Sequence, residues 1–303
     1  MSGYTQTHSR RYRGRSDRLM RWIGDSVIHL LLVIIALACL TPFLIILSAS
    51  FSDERALALK GYSLLPQQFS TTGYQFILHK PASILQAYLV TTSVTVLGTL
   101  IALTMMSLIA YPLSRKQFVL RRPMSLFAFF TTLFSGGLVP YYILVTQYLH
   151  LKNTFFVLMI PQMVGVFQLL ILRTAFAQLP DELFDAARVD GASEWRIFLQ
   201  IALPLSKPTL ATIGLMTAIA YLNNWTTALY FISEPKLYTL QYLLFQTMRS
   251  AEAMALEPQI GQVPMPLEVT RMAMVVLATG PAALAFLYVQ KYLVKGITMG
   301  AFK

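Results

Sequence analysis

The sequence predicts an all-α, polytopic integral membrane protein with six transmembrane helices and a two-helix hairpin on the cytosolic side. Three observations carry this expectation. Of 303 residues, 56% are hydrophobic and only 12% charged, whereas soluble domains are about a quarter charged. Apolar runs of the length that crosses a bilayer, about 20 residues, recur six times. Between the fourth and fifth runs charge returns in Leu179 to Pro208, patterned as two short amphipathic helices.

In chain order, residues 1–21 carry Arg10, Arg11, Arg13, Arg15, Arg18 and Arg21 against Asp17, and read as a basic cytosolic tail too polar to fold alone. Val27 to Leu47 is the first span. Ser48-Ala49-Ser50 after it resembles a signal-peptidase site, but the apolar run exceeds the roughly 7 to 15 residues of a signal peptide, so an uncleaved anchor is expected. Phe51 to Ile84 is mixed and reads as an external loop with one interfacial helix. Four spans follow at Ala87 to Ala110, Ser125 to Leu149, Thr154 to Leu172 and Pro208 to Phe231, and a last at Met272 to Val289. Gly136-Gly137 and Pro140 interrupt the third, Pro161 the fourth and Gly280-Pro281 the last. Such breaks persist at membrane depth only where protein or a wet cavity covers the freed backbone, so these helices should line something. The segment 233–271 reads as a long external loop, and 291–303 as a short basic cytosolic tail.

Orientation follows from the positive-inside rule. With the N-terminus inside, seventeen of the 24 Lys and Arg fall in inner segments and seven in outer loops, which puts both termini and the hairpin in the cytosol. The net charge of +11 is thus explained by topology, because the basic residues flank apolar spans and are not interleaved with stacking aromatics; no nucleic acid is expected. The single cysteine, Cys39, lies in a span and can build neither a disulfide framework nor a metal site.

The spans contain no Asp, Glu, Lys or Arg, which excludes the buried carboxylates and charge relays of proton- or ion-driven carriers. The chain holds no phosphate-binding loop, no H-E-x-x-H helix and no G-x-S-x-G elbow, so it is not expected to be an enzyme or to carry a cofactor or metal of its own. If it moves a solute uphill, a partner supplies the energy, and the hairpin is its receiver. Pro180 suits the first turn of a helix that Asp181 and Glu182 favour through the macrodipole, and Gly191 can end it. Leu183, Phe184 and Ala187 share one face, with Asp181, Asp185 and Arg188 opposite. Ser193 is a plausible N-cap for a second helix with Trp195, Phe198, Ile201 and Ala202 on one side and Arg196 and Gln200 on the other, broken at Leu203-Pro204.

The core of the hairpin, Asp185-Ala186-Ala187-Arg188-Val189-Asp190-Gly191-Ala192 followed by Ile201-Ala202-Leu203-Pro204, resembles the EAA loop of bacterial ATP-binding-cassette importer permeases, with Asp185 where the name-giving Glu usually sits. The C-terminal run Gln290 to Ala301 is similar to that of carbohydrate-importer permeases of the maltose type. Gly136-Gly137-Leu138-Val139-Pro140-Tyr141-Tyr142 resembles the subgroup serving oligosaccharides and polysaccharide fragments such as pectin- or alginate-type uronate chains. The resemblance implies a single permease domain over 22–303 in the bacterial cytoplasmic membrane, with the coupling loop at 179–208. It implies a second, non-identical permease, two ATPase subunits that hold ATP and Mg, and an extracytoplasmic solute-binding protein that delivers sugar. Leu183, Phe184 and Ala187 would then be apolar anchors in a cleft of the ATPase, with Asp185, Arg188 and Asp190 as rim charges and Ala186, Gly191 and Ala192 completing the motif. Five acids against four bases from Arg173 to Lys207 make this hairpin ill suited simply to lie on anionic lipid.

For the cargo, Asn223, Asn224 and Trp225 interrupt the fifth span about 22 to 26 Å beyond Pro208, and amides beside an aromatic face suit a sugar; interhelical hydrogen bonding and an interfacial Trp explain them equally. Tyr141 and Tyr142 could line the path or simply pack. Gln259, Gly261 and Pro264, in the centre of the long external loop, are candidates for contact with the binding protein, against a plain solvated linker. The competing functions are a permease for amino acids or peptides and a membrane sensor without transport.

Overall fold

The computed structural model describes residues 16–78, 81–256 and 266–280, and its described secondary structure is helical apart from one isolated bridge between Ser52 and Phe69. We number the helices α1 Ser16–Ser50, α2 Glu54–Lys60, α3 Thr72–Leu78, α4 Pro81–Ser114, α5 Arg121–Leu133, α6 Leu138–Ile143, α7 Val166–Ala177, α8 Asp181–Val189, α9 Glu194–Leu205, α10 Lys207–Leu222, α11 Thr226–Phe231, α12 Leu240–Leu256 and α13 267–280. Residues 1–15 of the expected tail, the rest of the sixth expected span beyond 280, the tail 291–303, and Gln259, Gly261 and Pro264 lie outside the described residues.

α1 and α4 are long and apolar enough to cross a membrane unbroken. α1 begins at Ser16, so residues 16–21 of the expected tail are already helical; once a span has nucleated the helix, each further residue adds one bond per residue fixed. Three further stretches are bent pairs. Arg121–Leu133 turns by 115° into Leu138–Tyr148, Phe155–Gln162 by 54° into Val166–Ala177, and Glu194–Leu205 by 78° into Lys207–Leu222. The first two bends sit at Gly136-Gly137 and just after Pro161, where the breaks were expected. Segment 233–271 departs from expectation: it is not a loop throughout but contains the 17-residue α12 and the start of α13. Its mixed polarity concealed an amphipathic helix.

The chain divides into two compact units, residues 1–74 with 266–273, and 75–265 with 274–303. In the first, Asp53 caps α2 by accepting from the amides of Arg55 and Ala56. The neighbouring Glu54 does the same for α13: its two carboxylate oxygens each accept a backbone amide, from Glu268 and Val269, both at 3.0 Å. Phe51 stacks on Phe69 and meets Tyr74 at a tilt of 31°, with ring centroids 5.6 and 4.8 Å apart. Ser50 and Tyr74 share a 2.9 Å hydroxyl contact.

The second unit is organised on α4, which packs against α7 and α10. Small residues permit the approach. A methyl placed on Gly98 would lie 2.9 Å from the ring of Tyr221 on α10, whose hydroxyl donates to the Met159 carbonyl at 2.9 Å. Ala102, Met106 and Ala110 continue the same buried face toward the hairpin.

Candidate coupling site

The hairpin is made by its local sequence. α8 begins after Pro180, whose ψ of 128° is non-helical, and carries Asp181 and Glu182 in its first turn. It ends in a Schellman motif: the Ala192 amide donates to the Ala187 carbonyl and the Gly191 amide to the Arg188 carbonyl, with Gly191 at φ +78°. A side chain at that φ is strained, which is why a glycine stands there. Ser193 then caps α9, its hydroxyl accepting from the Arg196 amide at 3.3 Å. The expected break at Leu203-Pro204 does not occur there. Residues Phe198–Ala202 form a π-turn in which the Leu203 amide reaches back to Phe198, and the helix runs on to Leu205. The wider turn accommodates a proline that would otherwise clash with the carbonyl four residues earlier, and the bend falls at Ser206 instead.

The apolar face of α8 is divided. Phe184 is 1% exposed and turned into the chain's own core, while Leu183 is 43% and Val189 88% exposed. Phe184 therefore anchors the hairpin to its own chain and is not an anchor available to another subunit. Asp185, Ala186 and Asp190 stand exposed beside Leu183, and Ala187 and Ala192 are half-buried.

Sequence reasoning missed what holds Phe184. Arg115, just past the end of α4, places its guanidinium carbon 4.0 Å from the Phe184 ring centroid and 5.4 Å from that of Tyr111. It donates to the Phe176 carbonyl at the end of α7 and lies 3.9 Å from Asp181, which also takes Lys116 at 3.2 Å. Burial pushes the Arg115 guanidinium below its ordinary pKa, with Tyr111 and Asp181 opposing, and it stays a cation. Glu194 forms a second joint: one oxygen accepts from the Tyr111 hydroxyl at 3.0 Å, the other from Arg188 at 2.9 Å. Arg188 also pairs with Asp185 at 2.9 Å, and its pKa is raised chiefly by the hydrogen bond to Glu194. Two helices of the hairpin are thereby tied to one end of α4. Only their chain separations hid this, since Tyr111 and Glu194 stand 83 positions apart. Beside the joint lies a cavity of ≈ 450 Å³ lined by Tyr111, Arg115, Phe118, Glu194, Trp195 and Phe198.

The candidate path residues gather elsewhere in the same unit. Tyr142 stacks on Phe231 at 5.6 Å and Tyr141 meets it edge-on at 5.7 Å. Phe231 ends α11, which starts directly after Asn223, Asn224 and Trp225. The Asn224 amide is committed locally, accepting from the Thr226 hydroxyl and Thr227 amide and donating to the Thr227 hydroxyl, so it caps α11. Trp225 stacks on Phe245 of α12 at 4.4 Å. Asn223 is exposed.

Residues 104–299 match the family described as binding-protein-dependent transport system inner membrane component. The chain is 34% identical over 281 residues to the polygalacturonan/rhamnogalacturonan transport system permease protein YtcP of Bacillus subtilis, covering 92% of this chain and 98% of that one. It is 31% identical over 277 residues to the trehalose/maltose transport system permease protein MalG of Thermococcus litoralis, covering 89% and 94%. Among solved structures, a chain of a bacterial ABC transporter involved in the import of the acidic polysaccharide alginate superposes with a TM-score of 0.76 at 29% identity, over 95% of this chain and 99% of that one. The chain belongs to the family of inner membrane components of binding-protein-dependent transport systems.

Proposed function

We propose that this chain is a permease subunit of an ATP-driven carbohydrate importer whose cargo is an oligosaccharide or polysaccharide fragment of the uronate type. Likeness to permeases of polygalacturonan and alginate systems supports the cargo. One observation carries the coupling role: the hairpin is bolted to the end of α4 through Arg115 and Glu194 while Leu183, Asp185 and Val189 face outward. A surface that is exposed and rigidly joined to a spanning helix can pass a push from a partner into the membrane. The partner is an ATPase that holds ATP and Mg; two copies of it sit on the cytosolic side with a second, different permease beside this one. This chain crosses the membrane six times with both termini in the cytosol. A binding protein outside delivers sugar, and the segment around Gln259, Gly261 and Pro264 meets it.

Sugar passes the aromatic cluster of Tyr141, Tyr142 and Phe231, where ring faces suit the apolar faces of pyranoses, with Asn223 supplying amide contacts and Asn224 and Trp225 holding the shape of the break. The test is uptake of a uronate oligosaccharide against ATP hydrolysis in the reconstituted complex. Leu183→Asp places a charge on the exposed docking face, and Gly191→Pro forbids the positive φ that ends α8. Both should lower uptake by tenfold or more, the loss of about 1.4 kcal/mol of coupling, while the chain still inserts. Normal uptake in both variants would falsify the coupling role.

A further inference from the structure

α5 is a 13-residue helix without a buried residue. Between it, the last turns of α4 and the start of α7 runs a cleft of ≈ 550 Å³, lined by Ile109, Leu113, Met124, Phe127, Val166 and Leu169 among others. The volume lies within the roughly 300 to 1,000 Å³ of small-molecule pockets. Its one polar lining side chain, Thr131, spends its hydroxyl on the Ala128 carbonyl at 2.8 Å. Nothing in the slot asks for water or sugar.

The near end of the slot is different. Leu120, Pro123 and Met124 line it, and Arg121 and Arg122 stand between them at the start of α5. Arg173 of α7 reaches the same end, its Nε donating to the Leu113 carbonyl at 3.1 Å, and the like charge of Arg121 is felt there. Among the described residues no acid forms an ion pair with any of these three arginines, and Asp181, Asp185 and Glu194 are paired with Arg115, Lys116 and Arg188. Arg188 of the hairpin is matched by two acids. These three are not.

We infer that this cleft is a binding site for an anionic phospholipid, with an acyl chain in the apolar slot and the phosphate among Arg121, Arg122 and Arg173. Basic pockets between transmembrane helices take such headgroups, and a dry slot below a cationic mouth discriminates against both a free anion and a neutral lipid. The inference rests on the membrane reading of the spans and not on the cargo, so its test omits sugar and ATP.

The assembled transporter, stripped of native lipid, is titrated with phosphatidylglycerol and with phosphatidylcholine of the same chains, and retained lipid is counted by native mass spectrometry. Wild type should retain phosphatidylglycerol in preference. Arg121→Gln with Arg122→Gln should lower its retention about 25-fold, roughly fivefold per arginine, and leave phosphatidylcholine unchanged. Ala128→Phe, which fills the slot with both arginines intact, should reduce retention of both lipids; if the arginine variant does not assemble, this one decides. Equal retention of the two lipids by wild type, preference surviving in the arginine variant, retention undiminished by Ala128→Phe, or no retention because another subunit covers the cleft, each overturns the site.

Discussion

Among the described residues, α1 and α4 are the two helices long and apolar enough to cross a membrane unbroken, and they are treated in opposite ways. No residue in the most apolar window of α1 is buried, whereas 39% of the corresponding window of α4 is. α1 is the more apolar of the two. In water the reverse would be expected, because apolar area is what drives burial. In a bilayer, lipid tails are as apolar as leucine, and helices associate through close backbone approach and polar contacts. α4 has both: Gly98 under the Tyr221 ring, Ala102 and Ala110 in the buried face, and Thr91 accepting the Leu240 amide at 2.8 Å. Along its apolar length α1 offers instead a circumference of large aliphatic side chains such as Leu30, Leu37 and Leu44, where the Thr41 hydroxyl turns back to the Leu37 carbonyl, and a hydroxyl contact to another helix comes only at its last residue, from Ser50 to Tyr74.

Paired substitutions can break or sharpen this contrast, each read as a shift in thermal unfolding of the purified chain. The largest effect is expected from Gly98→Leu, which drives a side chain into the Tyr221 ring and should cost about 3 kcal/mol, against nearly nothing for Ala36→Leu on the open face of α1. Tyr221→Phe should follow, since it leaves the Met159 carbonyl without its phenol donor, at about 1 kcal/mol. Smallest is Leu30→Ala, expected within about 0.5 kcal/mol as for other surface changes. A loss of the roughly 2 to 5 kcal/mol typical of core leucines at that position would mean that α1 is packed after all and the contrast is void.

Much of this was legible in the residues. Length and hydropathy marked α1 and α4, Gly136-Gly137 and Pro161 marked two bends, and Pro180, Gly191 and Ser193 marked the limits of the hairpin. What escaped has two physical causes. Periodicity assigns Leu183 and Phe184 to one face but cannot say that one of them faces the chain's own core, because that depends on Arg115, 69 positions earlier, being there to stack on it. Local rules also mispriced Leu203-Pro204, where a π-turn absorbs the missing amide, and the mixed polarity of 233–271, which conceals α12. Of the candidate path residues, Asn223 to Trp225 lie at a break, where Asn224 is spent on capping α11, and Tyr141 and Tyr142 lie within α6.

The capping of α13 by Glu54 bears on how the protein is made. The carboxylate and its two amides lie 214 and 215 positions apart. Synthesis proceeds from the N-terminus at about 5 to 20 residues per second, so Glu54 emerges roughly 10 to 40 seconds before its partners exist. Through that interval residues 75–265 of the second unit can gather around α4 while the first stays unlatched. Only a chain translated past Val269 can fasten it, which makes this contact one of the last to form.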